Sequence, residues 1–219
     1  VLVRNAHAHD WEDLASGPFP GRPGTWLYAS DTGDNRGVRP EVCVDAIPEP
    51  KVMAPKATGR SSRAKPLLSE EAVVLRARYP DGRSHNAECL LCDLRDGRLT
   101  VVTKEPSGLS GVYRFPSPYV DPYRGANVLE KVVEFRVPGT SPLVTGGSFR
   151  PDGGAVALVT YTHVVELKGL DFWTATLFVR PQPGLKRLEA VAYARDGRSL
   201  WLTSEGERAL VVRLGALAP

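Results

Sequence analysis

The stretch LEAVAYARDGRSLWLTSEG, residues 188–206, reads as two apolar runs on either side of Asp196-Gly197, closed by a polar cluster. Asp-Gly between apolar runs signals a β-hairpin, because glycine tolerates the positive φ that a tight turn needs. The same grammar recurs three times upstream. NAECLLCDLRDGRLTVVTKE (86–105) turns on Asp96-Gly97, and VTGGSFRPDGGAVALVTYT (144–162) turns on Asp152-Gly153. WEDLASGPFPGRPGTWLYASDTGDN (11–35) uses a longer loop, Pro18 to Gly24.

Aligned on their first strands, the copies place Glu12, Glu88 and Glu189 at one position near the strand start, with Thr145 there in the third copy. The second strands end in Ser30-Asp31, Thr103-Lys104, Thr160-Tyr161 and Ser204-Glu205. Polar residues therefore recur at two points, both at the same end of each hairpin. Further strands are expected at 40–47, 71–79, 111–115, 129–137, 162–167 and 209–214, where β-branched residues gather. LDFWTATLFV (170–179) reads equally as a short helix or an edge strand. The opening VLVRN is expected to join the last three strands as their fourth. Four-stranded antiparallel units whose starts lie 76, 57 and 44 residues apart predict an all-β fold. The favoured architecture is a β-propeller of about four visible blades over residues 1–219, with an inserted loop at 49–66 and an N-terminal blade missing. A β-sandwich or a stack of meanders is the competing architecture.

Bulk composition sets limits on function. The 219 residues are 42% hydrophobic and 24% charged, with net charge +3 from 21 Arg and 7 Lys against 25 acidic residues. No basic run carries interleaved aromatics, so no nucleic acid partner is expected. No apolar run approaches the ~20 residues that span a bilayer, so no membrane partner is expected either. The basic stretch at 56–65 is rich in Ser, Gly and Ala and reads as a solvated loop. A monomer is expected. Cys43, Cys89 and Cys92 make no disulfide framework. Cys89 and Cys92, three apart in a strand, point to opposite faces and read as packing residues rather than a metal pair. The chain opens at Val1 with Met53 as its single methionine, so an upstream segment is expected, and localisation stays open between secreted and cytoplasmic.

Several phrases taken together, from DWEDLA, ASDTGDNR and AIPEP through YPDGRSHNAECLL, VVTK, VTGGSFRPDG and VTYT to EAVAYARDGRSL and LTSEG, run in order from Asp10 to Gly206. As a set they resemble a group of little-characterised bacterial propeller proteins. That group is similar to the wider class of calcium-dependent lactonases, phosphotriesterases and esterase-like phytase-related proteins. The resemblance implies a further upstream blade containing Asn-Asp-Ser-Gly, and hence a five-bladed parent. It also implies an arginine just before the Thr-Tyr pair, where this chain has Val159.

In a propeller the first strand of each blade lines the central channel. Glu12, Glu88 and Glu189 are then expected to converge at one mouth, with Asp10, Asp13, Asp31, Asp34, Asn35, Lys104, Tyr161 and Glu205 around them. Carboxylates crowded in a low-dielectric funnel raise one another's pKa or demand a cation. Hard oxygen ligands suit Ca²⁺, for which Glu12, Glu88 and Glu189 are the candidate ligands. Capping of backbone N–H groups, or pairing with arginine, is the structural alternative for the same residues. DTGDN (31–35) reads as a tight turn whose side chains bond their own backbone. His7 and His9 would share a strand face and form a possible ligand pair. Two functions follow: a propeller that binds a small ligand or protein partner at an acidic mouth, or a Ca²⁺-dependent hydrolase of esters, lactones or phosphoesters with Asp13 as base or nucleophile.

Overall fold

The computed structural model describes residues 1–50, 62, 64–120, 123–137, 141–168, 185 and 187–215, and the backbone path of 176–181. Among these residues the chain forms eighteen strands and no helix. In chain order they are β1 (Leu2–Arg4), β2 (Trp11–Phe19), β3 (Arg22–Asp31), β4 (Val42–Pro48), β5 (Leu68–Glu71) and β6 (Val73–Arg78). There follow β7 (Ala87–Cys92), β8 (Leu99–Thr103), β9 (Leu109–Arg114), β10 (Asn127–Val128) and β11 (Glu130–Arg136). The last are β12 (Val144–Phe149), β13 (Ala155–Thr160), β14 (His163–Lys168), β15 (Thr176–Pro181), β16 (Leu188–Tyr193), β17 (Leu200–Ser204) and β18 (Val211–Leu214). LDFWTATLFV thus ends in a strand, and its first six residues lie outside the described residues, as does most of the expected loop at 49–66.

The strands assemble into four antiparallel meanders. The first sheet has the order β10-β6-β4-β3-β2, the second β11-β9-β8-β7, the third β12-β13-β14-β15 and the fourth β16-β17-β18. Only the β10–β6 edge is parallel within them. The three Asp-Gly turns hold Gly97, Gly153 and Gly197 at φ of 74°, 71° and 64°, the conformation that made glycine the signal. One expectation fails: β1 does not complete the fourth sheet but pairs in parallel with β5, through Leu2↔Leu68 and Arg4↔Glu71. Arg4 adds an ion pair to Glu71 at 2.6 Å, whereas no pairing to β18 is made among the described residues.

The sheets pack face to face in sequence order, β2 on β7, β7 on β12, and β12 on β16. Strand alternation divides the core accordingly. Leu90 and Cys92 of β7 join Tyr28, Val44 and Leu75 of the first sheet. Cys89 and Leu91, pointing the other way, join Val144, Val156 and Leu158 of the third. Ala157 and Val159 of β13 then meet Leu188 and Leu202 of the fourth. The two cysteines accordingly lie on opposite faces, both buried and both free. At the hairpin tips each sheet also reaches onto the next. A Cβ on Gly97 would stand 3.1 Å from Pro20 Cδ, one on Gly153 would stand 3.4 Å from Arg95 Nε, and one on Gly197 would stand 3.8 Å from Pro151 Cδ.

This series has two loose ends. Gly21, in the first sheet's turn, would meet nothing within 4 Å, and Arg195, next in the series, is exposed. Between the first and fourth sheets lies a cleft of about 650 Å³, lined by Trp11, Leu14 and Ile47 on one side and Val191, Trp201 and Val211 on the other. Trp11, Leu14, Trp201 and Val211 are all exposed, in contrast to the sealed faces of the second and third sheets.

Close sheet packing makes Gly147 of β12 a sensitive position. An added Cβ would stand 2.6 Å from Cys89 Sγ and 2.9 Å from Leu91 Cδ2 and Leu158 Cδ2. Gly147→Ala is expected to destabilise the chain by about 1–3 kcal/mol through overpacking. Gly215→Ala, which meets nothing within 4 Å, is expected to stay within about 0.5 kcal/mol. Urea unfolding of both variants checks this, and an unchanged midpoint for Gly147→Ala contradicts the packing.

Candidate functional site

The repeated polar position has a backbone cause. The ladder of every inner strand slips at the same place, between Trp11 and Asp13, Ala87 and Cys89, Val144 and Gly146, and Leu188 and Ala190. The residue left without a partner is Glu12, Glu88, Thr145 or Glu189 in turn. A bulge inserts one unpaired residue and re-aims its side chain, so the repeat is a repeated bulge. Thr hydroxyls brace two of these bulges from the preceding sheet. Thr32 Oγ1 donates to Ala87 O at 2.7 Å, and Thr145 Oγ1 donates to Leu188 O at 2.6 Å. Each bond holds the carbonyl just before a bulged glutamate.

The three glutamates interact electrostatically with one another and with Lys104. Lys104 sits among them, with Nζ 2.6 Å from both oxygens of Glu88 and 2.7 Å from the Tyr161 hydroxyl. An ammonium has three donors, and these three bonds use them all. On the far side of Tyr161 the Arg187 guanidinium lies 5.6 Å from the ring centre and 3.1 Å from Glu205, an exposed ion pair that is worth little to stability. Asp10 and Glu12 share the space above Gly33, where a Cβ would stand 2.4 Å from Asp10 Oδ2 and 2.3 Å from Glu12 Oε1. Only glycine leaves that space open. Among the described residues no three His, Cys, Asp or Glu side chains stand together in a way that could hold a metal ion.

Strand register sorts the other expected residues. Trp11, Ala87, Val144 and Leu188 pair with Asp31, Thr103, Thr160 and Ser204, so Thr32, Lys104, Tyr161 and Glu205 form the next row toward the mouth. The first copy is therefore one residue out of step with the alignment read from sequence. Asp31 belongs to the row that bonds backbone: it accepts from the N–H groups of His9 and Asp10 and from Arg39 Nη1 at 3.0 Å. Asp34 likewise accepts from the N–H groups of Val38 and Arg39, which lie beyond DTGDN, so its side chain bonds the segment after the expected turn rather than the turn's own backbone. Asn35 is exposed and accepts from Asn86 Nδ2 at 3.3 Å. Asp13 turns away from the mouth and ties sheets together, accepting from Leu90 N at 2.8 Å, from Leu14 N and from the Gly147 amide. Sequence reasoning missed Asn86 and Arg187. Both stand two residues before a bulged glutamate and just ahead of the strand start, the place Asp10 holds in the first copy.

Burial is the main cause of the altered protonation here. Desolvation, then Glu88 and Asp10, push Glu12 up to about 8 against the pull of Lys104. Desolvation and Glu88 push Glu189 up to about 7. In Asp13, burial outweighs three backbone N–H donors and gives about 7. Burial works against the Lys104 charge, yet its bonds to Glu88 and Tyr161 hold the ammonium above its usual value.

These shifts fix the sign of a pH effect. From about pH 5 to pH 7 the folded chain keeps protons on Glu12, Glu189 and Asp13 that the unfolded chain has lost, so stability falls as pH rises through about 7 to 8. The melting temperature is expected to decline from about pH 5 to about pH 9, with a shallower decline in Glu12→Gln. A rise over that range, or an unaltered slope in the variant, contradicts the assignment.

No protein-family model matches this chain, and no curated protein does. Solved structures do. A candidate 6-phosphogluconolactonase from Bacteroides uniformis is similar at 10% identity with a TM-score of 0.51, over 92% of this chain. The chain spans 66% of that neighbour's length. A chain of a humanized mutant Polycomb repressive complex 2 from Chaetomium thermophilum (TM-score 0.49, 12% identity, 100% of this chain, 41% of that one) and a chain of hydrazine synthase from Kuenenia stuttgartiensis (0.46, 15%, 95% and 48%) carry no argument at those scores. The first likeness bears on fold alone: an all-β chain of repeated antiparallel sheets.

Proposed function

We propose that this chain is one β-propeller domain that binds a small ligand or protein partner at an acidic central mouth. The observation that carries the reading is the convergence of Glu12, Glu88 and Glu189, from three different sheets, around one Lys104. Sheets that stack in sequence order through their first strands support the propeller, as does the fold likeness to the Bacteroides protein. The cleft between the first and fourth sheets, with Gly21 uncovered at one side and Arg195 exposed at the other, is where a further blade would stand. Lys104 neutralises Glu88, so the carboxylates left for a ligand are Glu12, Asp10 and Glu189. A ligand group that meets them is cationic or rich in hydrogen-bond donors, and its binding displaces protons from Glu12 and Glu189.

A second reading, the Ca²⁺-dependent hydrolase, rests on the paired oxygens of Asp10 and Glu12 above Gly33. Calcium takes 6–8 oxygen ligands, and Asp10 and Glu12, with no third carboxylate placed to join them among the described residues, would supply only a small part of such a shell. When bound, the ion would polarise a carbonyl or phosphoryl oxygen. The chain's own residues would then hold that substrate: Tyr161 has its O–H to give, and Arg187 has its guanidinium beside it. Asp13, bonded to backbone between the sheets, is poorly placed as the base. Lactone hydrolysis, for which the Bacteroides neighbour is a candidate, falls in this chemical class, but a likeness in fold alone does not decide between the readings.

Calorimetric titration with CaCl₂ and, separately, with spermidine, each in two buffers of different ionisation enthalpy, tests both. Saturable binding with proton release, lost in Glu12→Gln and weakened in Gly33→Ala, supports the acidic mouth. Calcium-specific binding accompanied by hydrolysis of an aryl ester or lactone favours the second reading. No heat from either cation up to the millimolar range contradicts a ligand-binding mouth.

A further inference from the structure

The two histidines of HAHD do not point into the acidic mouth. With Asp31, Arg39, Glu41, Cys43 and Arg76 they line a separate cleft of about 300 Å³. This cleft lies on the other side of the 31–39 loop, whose Gly33 turns its Cα toward Asp10 and Glu12 and its carbonyl toward Arg39. Arg39 is set rigidly. Its Nη1 donates to Asp31 Oδ1 at 3.0 Å and to Gly33 O at 2.8 Å, and its side chain is 16% exposed. Asp31 is fully buried and has both oxygens engaged, by Arg39 and by the His9 and Asp10 amides. Glu41 is shared between Arg76 at 3.8 Å and Arg78 at 3.4 Å. Asp45, which faces His7 from beneath, has one oxygen bound by Trp11 Nε1. Cys43 is buried, and burial pushes its thiol up, so it brings no negative charge.

Formal charge at the cleft is balanced, Arg39 against Asp31 and Arg76 against Glu41, so what sets the cleft apart is its supply of N–H donors. Four nitrogen-bearing side chains from three segments of chain, His7, His9, Arg39 and Arg76, border one cavity. Asp31 is committed to Arg39 and to amides and Glu41 lies between two guanidinium groups, while Asp45, beneath the lining, keeps Oδ1 buried without a hydrogen-bond partner among the described residues. Among the described residues neither imidazole has a hydrogen-bond partner. A guanidinium fixed by a buried carboxylate, with further donors from imidazole and a second arginine, is the arrangement that receives an oxyanion. We propose that this cleft is a second binding site, distinct from the acidic mouth, for a small molecule bearing a carboxylate or phosphate group.

The test is calorimetry at low ionic strength with inorganic phosphate in one arm and acetate in the other. The parent chain is expected to bind at least one of them saturably at one site, and the arm that responds tells phosphate from carboxylate. The double variant His7→Gln/His9→Gln removes two donors and is expected to weaken binding at least about tenfold, since bonds to charged groups are individually worth that much. Arg76→Gln, on a different strand, is expected to weaken it as well and gives an independent result should the histidine pair matter for folding. Glu12→Gln at the mouth and Arg195→Gln at the hairpin tips are expected to leave it unchanged. No saturable heat with either anion overturns the site. So does undiminished binding in both cleft variants, or an equal loss in Arg195→Gln, which would mark general attraction to a basic surface. Failure of this site leaves the mouth untouched, because the two respond to opposite charges and to different variants.

Discussion

An extra residue in each inner strand turns the side chains at positions 12, 88, 145 and 189 out of the regular alternation and toward one end of the stacked sheets. Without that slip, the period of two would leave each glutamate in the face-to-face packing between sheets, where an unpaired carboxylate costs several kcal/mol. With it, the core remains apolar and the charges gather where water or a ligand can reach them. Thr32 and Thr145 brace the slip from the neighbouring sheet, since each hydroxyl bonds the carbonyl just before a bulged glutamate.

Gathering carboxylates has an electrostatic consequence that this chain meets in two ways. At Glu88, the most deeply buried of the three, Lys104 supplies a full countercharge with both oxygens bonded. Among the described residues Glu12 and Glu189 make no such ion pair, and burial keeps protons on them instead. The mouth is thus neutralised by one fixed cation and by protons that can leave. That division separates the ion-paired part of the cluster from the part held by protons. Thr145, in the third sheet, is the exception: its hydroxyl bonds the neighbouring backbone, so that sheet adds no charge to the cluster.

Much of the architecture was legible because local chemistry and tertiary structure agree. Asp96-Gly97, Asp152-Gly153 and Asp196-Gly197 require positive φ at glycine, and nothing in the packing overrides that requirement. The bulged glutamates were legible as a repeat, although not as bulges, because a one-residue slip leaves no mark in composition. The misaligned Ser30-Asp31 has a different source, the first hairpin's longer turn with its second slip between Pro18 and Phe19. Without the register, Asp31 is indistinguishable from the row beyond it, and its bonds to His9, Asp10 and Arg39 are invisible. Arg187 and Asn86 went unnoticed because they differ in type from Asp10, although they share its place. The pairing of β1 with β5 was beyond reach, since a three-residue strand can join whichever edge lies nearest, and Leu2–Arg4 carries no pattern that names one.

The account stands or falls on whether residues far apart in sequence share one electrostatic site. Carboxyl ¹³C NMR titration of Glu12 in the parent chain and in Glu88→Gln measures this directly. Glu12 is predicted to titrate near pH 8 in the parent and to fall measurably in the variant, which removes a negative neighbour and frees Lys104. A Glu12 that titrates as an ordinary carboxylate, with no response to the change at residue 88, would contradict it.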